Sequence, residues 1–152
     1  MAEHLRDQIL DALKTTLTGL TTTGARVYAD RTEALAENDR PGLTIIQGDE
    51  SPPEYLTLAY PRTVRAEFTV SVNAYDARTA AQGDARKRAN RICKEVQAAI
   101  GLDVDLGGLV HDTRTAGTSF ELDGGSDNEA ASAEMRYRII YQFKETAPDV
   151  AV

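Results

Sequence analysis

Val64 to Tyr75 reads VRAEFTVSVNAY. Val64, Ala66, Phe68, Val70, Val72 and Ala74 fall on one face, and Arg65, Glu67, Thr69, Ser71, Asn73 and Tyr75 on the other. Strict two-residue alternation over this length is the signature of a half-buried β-strand. At roughly 3.3 Å per residue such a strand crosses a whole small domain. Ala133 to Phe143 (AEMRYRIIYQF) repeats the code. Ala133, Met135, Tyr137, Ile139, Tyr141 and Phe143 form its apolar face, and Glu134, Arg136, Arg138, Ile140 and Gln142 the other. Two long strands, each with one apolar and one charged face, imply one sheet with helices covering a single side.

The helices lie before and between these strands. Leu5, Ile9, Leu13 and Leu17 recur every four positions, with Leu10 and Leu20 widening the stripe, so residues 2–18 are expected to be an amphipathic helix. A second helix is expected over Ala77 to Ile100, carrying Ala81, Ala85, Ala89, Ile92, Val96 and Ile100 on its apolar face and closed by Gly101 as a C-cap. Ala25 to Asp30 and Leu43 to Gln47 read as short strands, with a polar loop or helical turn between them. Val110 to Leu122 reads as a weaker strand, bulged near Gly117. The resulting expectation is an α/β chain of the α+β kind. Its order is α-β-β-β-α-β-β, with one mixed or antiparallel sheet of about five strands and two helices on one face. Residues 1–145 form a single domain in this reading, and 146–152 a frayed tail.

Residues 48–61 (GDESPPEYLTLAYP) resist regular structure. Pro52, Pro53 and Pro61 bracket Tyr55, Leu56, Leu58 and Tyr60. Proline fixes φ and removes a donor, so the segment cannot run through a central strand. It reads either as a surface loop over the core edge or as an arm that docks on a neighbouring subunit.

The chain has 152 residues, enough to bury a real core. A net charge of −7 argues against an electrostatic nucleic-acid binder, because phosphate contacts need clustered cations. The one basic run, Arg86 to Arg91, reads as a solvated helix face or as a surface for an anionic partner. A single cysteine, Cys93, beside an apolar stripe reads as a buried thiol and excludes an internal disulfide. No apolar run approaches the length of a membrane span. There is no phosphate loop, no GxSxG and no HExxH, and His4 and His111 stand far apart. Asp103 and Asp105, and the acids of Asp123 to Glu129, lack the ligand spacing of a calcium loop. Neither catalysis nor a cofactor is expected. The polar faces of the long strands offer Arg65 and Glu67 to Glu134, Arg136 and Arg138, pairs that are ordinarily structural.

With enzyme motifs absent, the order of features resembles the tail-terminator family of long-tailed bacteriophages, the minor tail protein U type. The likeness rests on the opening LRDQILDALK, the short strand at Arg26-Val27-Tyr28, and the strand after Asp39-Arg40-Pro41. It continues through the long alternating strand leading to a helix that ends Ile100-Gly101-Leu102. Last come Asp112, Arg114 and Phe120, the acidic loop, and Tyr137 to Tyr141. It covers residues 3–144, and the Pro-rich 51–61 segment is longer than the family leads one to expect. The resemblance implies a structural virion protein of the tail and neck that forms a hexameric ring. Such a ring caps the tail tube protein, then meets the head–tail connector, while DNA passes through the lumen without specific binding. On this reading Asp123, Gly124, Gly125, Ser126 and Asp127 are tube-contact candidates, and Tyr55, Leu56, Leu58 and Tyr60 subunit-interface candidates.

Rival readings are another neck or head–tail joining protein or minor capsid component, a small-molecule-binding or enzymatic α/β domain, and a basic-helix binder of nucleic acid. A deep apolar pocket with convergent polar groups would mark the second, and a strongly salt-dependent affinity the third.

Overall fold

The computed structural model describes residues 2–29, 31, 33–76, 84–123 and 130–152. Helix α1 spans Leu5–Leu17 and buries Leu5, Ile9, Leu10, Leu13 and Leu17. It starts at Leu5, where the apolar stripe begins, and not at residue 2 as expected, because His4 caps it, its Nδ1 accepting from the Arg6 amide at 3.1 Å. Helix α2 spans Ala85–Gly101 and buries Ala85, Ala89, Ile92, Cys93, Val96 and Ile100. The stretch 77–83 expected at its start lies outside the described residues. Gly101 is not its left-handed cap. The helix runs through it and closes at Leu102 in right-handed geometry, and the left-handed positions come later, at Leu106, Gly107 and Gly108.

Seven strands form one mixed sheet, two more than expected. They are β1 (Val27–Ala29), β2 (Gly42–Glu50), β3 (Glu54–Tyr55), β4 (Thr63–Tyr75), β5 (Asp112–Asp123), β6 (Ala130–Lys144) and β7 (Ala147–Ala151). The order across the sheet is β1-β2-β4-β6-β5, with β3 added to β4 and β7 to β6. Only β1 and β2 run parallel. The two stretches that announced the fold are its central pair, in unbroken register from Thr63↔Lys144 to Tyr75↔Ser132.

Their alternation is reproduced in burial. Val64, Ala66, Phe68, Val70, Val72 and Ala74 are buried, as are Ala133, Met135, Tyr137, Ile139 and Tyr141. Both helices pack on this one face, α1 against β1, β7 and β2, and α2 against β6, β4 and β5. At the centre, the Phe68 and Tyr141 rings meet edge-on at 5.7 Å. Ile140 is buried too, although its place in β6 puts it among the charged residues, opposite Glu67 and Asp112.

The bulge near Gly117 is present. The β5–β6 register shifts between Thr115 and Gly117, and Gly117 has φ 122°. A Cβ there would lie 3.1 Å from the Arg136 guanidinium, so only glycine fits without strain. The chain end does not fray as expected. It turns back after Lys144 and forms β7 against β6. The Asp149 carbonyl accepts from Gln8 at 2.8 Å, and the Val152 carbonyl lies 2.8 Å from His111 Nε2.

Candidate functional site

The Pro-rich segment is an ordered hairpin arm. Glu54 and Tyr55 pair with Arg65 and Val64, and the Leu56 amide donates to the Thr63 carbonyl at 2.8 Å. The prolines sit outside the paired residues, so β3 stays an edge strand two residues long. The arm is fixed at its base by Arg62. That guanidinium lies 4.1 Å from the centre of the Tyr55 ring and 4.9 Å from that of Tyr60. Its far side donates to both Glu145 oxygens, Nη2 at 2.9 Å and Nε at 3.1 and 3.2 Å. The hydrogen bonds from Arg62 hold the Glu145 carboxyl below its ordinary range, and the same pairing raises the Arg62 guanidinium. The tyrosines thus clamp a cation rather than enter the core. Tyr55 and Leu56 remain exposed, Tyr60 is 78% exposed and Leu58 93%. All four sequence candidates lie together on one ordered projection at one edge of the sheet.

The charged candidates also share a face, in pairings that alternation alone leaves open. Glu67 takes Arg138 across strands at 2.7 Å. Arg136 pairs along its own strand with Glu134 at 3.0 Å and donates to Ser119 on β5 at 2.9 Å. Arg65 stands opposite Gln142. On the outer strand Arg114 pairs with Asp112 at 2.6 Å, holding that carboxyl below its ordinary range.

Where β4 ends and β5 meets β6, a groove of about 830 Å3 opens, lined in part by Arg40, Asn73, Tyr75, Phe120 and Glu134. Two of its polar side chains are engaged within the chain. Arg40 lies over the Tyr75 ring at 5.1 Å and donates to the Leu35 carbonyl at 2.8 Å, and Asn73 donates to Thr44 at 3.2 Å. The groove is not the deep apolar pocket that a small-molecule site calls for. Of the tube-contact candidates, Asp123 ends β5, and Gly124, Gly125, Ser126 and Asp127 lie outside the described residues.

The basic run divides. Arg86, Lys87 and Arg91 point to solvent, whereas Arg88 turns inward to the buried Asp76, its Nε 2.9 and 3.1 Å from the two carboxylate oxygens. Sequence reasoning missed this pair, because the two residues share no periodic pattern. Cys93 is buried and its thiol is pushed up by desolvation. Among the described residues no group of three His, Cys, Asp or Glu side chains is placed to hold a metal. Among the described residues no helix is long and apolar enough to cross a membrane.

No protein-family model matches the chain, and no curated protein matches it in sequence. Among solved structures, a chain of the virion of a native gene transfer agent particle is similar over 90% of this chain and 92% of its own. The identity is 13% and the TM-score 0.34, a score that does not establish a common fold.

Proposed function

We propose that this chain is a structural virion protein that caps the tail tube of a long-tailed phage as a hexameric ring. Capping ends tail elongation and presents a surface for the head–tail connector. The reading starts from the resemblance of residues 3–144 to the tail terminators. The observation that carries it is the arm: an ordered hairpin that presents Leu58 and Tyr60 together to water is suited to a partner, because covering clustered apolar side chains is favourable. In the ring that partner is the next copy. Contacts between unlike patches close around a rotation axis and leave two different flat faces, one for the tube and one for the connector. Residues 123–127 are assigned to the tube face. DNA passes through the lumen without specific binding, which suits a chain of net charge −7. The role involves no catalysis and no cofactor.

Light scattering over a concentration series, with and without magnesium, followed by addition of purified tail tubes, tests the reading. The expected result is a species near six times the 16.5 kDa chain mass, free or on the tube, and tubes that stop lengthening. Tyr55→Ala with Leu56→Ala is expected to abolish that species. A dimer that ignores concentration and leaves the tubes growing would overturn the proposal.

A further inference from the structure

At the end of the sheet where the arm emerges, four strands stand in one row. Tyr55 of β3 faces Val64 of β4, Val64 faces Phe143 of β6, and Phe143 faces Ala151 of β7. β3 and β7 are the outer strands of this row, on opposite flanks of the central pair. Each step across the row is antiparallel, so β3 and β7 run in opposite directions.

Both outer edges carry unused backbone groups. The Leu56 amide donates inward to the Thr63 carbonyl at 2.8 Å, and the Val152 amide inward to the Gln142 carbonyl at 3.1 Å. Alternation along each strand then turns the amide and carbonyl of Tyr55 away from β4, and those of Ala151 away from β6. Among the described residues none of these four groups has a hydrogen-bond partner.

Apolar side chains flank the same edges. Glu54 stands opposite Arg65 on the open face of the sheet, and Leu56, two residues on, shares that face. Ala151 packs against the core, so its neighbours Val150 and Val152 turn to the open face. Leu56 is 42% exposed, Val150 53% and Val152 50%. The chain end that carries the valines is held, by Gln8 on the Asp149 carbonyl and by His111 at the Val152 carbonyl. A fixed strand edge with uncovered apolar neighbours is a surface for another strand.

The molecule itself supplies that strand. A second copy set beside the first in the same orientation brings its β3 to the β7 of the first, at the same level and in the antiparallel sense. Its Tyr55 then faces Ala151, and their outward amides and carbonyls exchange two hydrogen bonds. Its Leu56 falls opposite Val150, apolar on apolar, with Cβ atoms ~4.5–5.5 Å apart. The second copy's β1 stands level with Val72 to Ala74, far up the sheet from Val64. Over that length, roughly 30 Å, a twist of ~20–25° between neighbouring strands carries β1 about 10 Å out of the plane of β5, so it does not block the approach.

We infer that copies join by sheet extension, β3 of one adding to the β7 edge of the next with Leu56 against Val150. The inference rests on the ring reading above and names its contact, since unlike edges repeated around an axis close into a ring. β3 is two residues long, so each contact is small and closure of the ring strengthens it.

Disulfide trapping tests the pairing. The natural Cys93 is buried. Within one chain, positions 56 and 150 are separated by β4 and β6, three strand spacings or ~14 Å, beyond the ~7 Å Cα limit of a disulfide, so any bond between them joins two copies. Under mild oxidation, an equal mixture of Leu56→Cys and Val150→Cys chains is expected to give a mixed dimer in preference to either self-dimer. Its yield should exceed about tenfold that of Leu56→Cys with Leu122→Cys, whose cysteine stands opposite Ala131 at the far end of β6. A chain carrying both Leu56→Cys and Val150→Cys is expected to give a ladder of linked copies that ends at six. All three positions are exposed, so thermal melts of the reduced variants should match wild type. An excess of Leu56→Cys self-dimers, no mixed dimer at any concentration, or an equal yield from the Leu122→Cys control would overturn the pairing. A ladder that runs past six keeps the contact and sinks the hexameric ring. A wild-type hexamer in light scattering without mixed dimers keeps the ring and sinks this contact.

Discussion

The Tyr137 hydroxyl is buried and has no hydrogen-bond partner among the described residues. Burial, with a smaller effect from the nearby Cys93, pushes its pKa up to about 12 from an ordinary 10.0. The group is raised in the folded state, so its contribution is intact below pH 10 and lost as pH climbs from 10 toward 12. A buried hydroxyl without a partner also carries a desolvation penalty. Tyr137→Phe is therefore expected to stabilise the fold by about 1 kcal/mol at neutral pH and to shrink the alkaline loss. Urea melts at pH 7 and pH 11 check both. Tyr141 contrasts with it: its ring is buried, yet its hydroxyl donates to Glu50, which in turn binds Arg6 at 2.9 Å. Burial first, and then Glu50, raise that phenol as well.

At the scale of elements, β4 and the arm carry different burdens. β4 is held on both edges and its Phe68 is fully buried against Tyr141. Phe68→Ala is expected to cost about 3–5 kcal/mol in a denaturant melt, from lost burial plus the cavity left behind. The arm, by contrast, depends on Arg62. Glu145 is held below its ordinary 4.5 by Arg62, so the anchor is present above that pH and fades as pH falls through the lowered value. Arg62→Ala is expected to free the arm without unfolding the sheet. The Leu56 amide, bonded to the Thr63 carbonyl, should exchange roughly tenfold faster while the β4 amides keep their protection. Equal loss of protection in both places would show that the arm and the sheet open as one unit.

Across the whole molecule, unlike features lie on opposite sides. The arm extends from β3 on one flank of β4, while β5 closes the other flank beyond β6. The proposed ring predicts an apolar arm contact that persists as salt is raised, because screening acts on exposed charges and not on apolar burial. Arm variants should accordingly lose assembly at every salt concentration, as light scattering at low and high salt would read.

The sequence by itself determined the two central strands, the face that each buries, the apolar stripes of both helices, the bulge at Gly117 and the exclusion of the Pro-rich segment from the sheet interior. These are local properties, written in periods of two and 3.6 residues and in the limits on proline and glycine. For Tyr55, Leu56, Leu58 and Tyr60 the sequence left open a loop over the core edge or a projecting arm, and the tertiary structure decided their exposure. Only the tertiary structure decided the strand order, the burial of Ile140, the clamp of Arg62 between two tyrosines and Glu145, and the Asp76–Arg88 pair. It also made a strand of the chain end. Each depends on partners far apart in the chain, as Arg62 and Glu145 are 83 residues apart and Tyr141 and Glu50 are 91. Periodicity says which side of an element turns inward, but it does not say which distant backbone edge or side chain arrives to meet it.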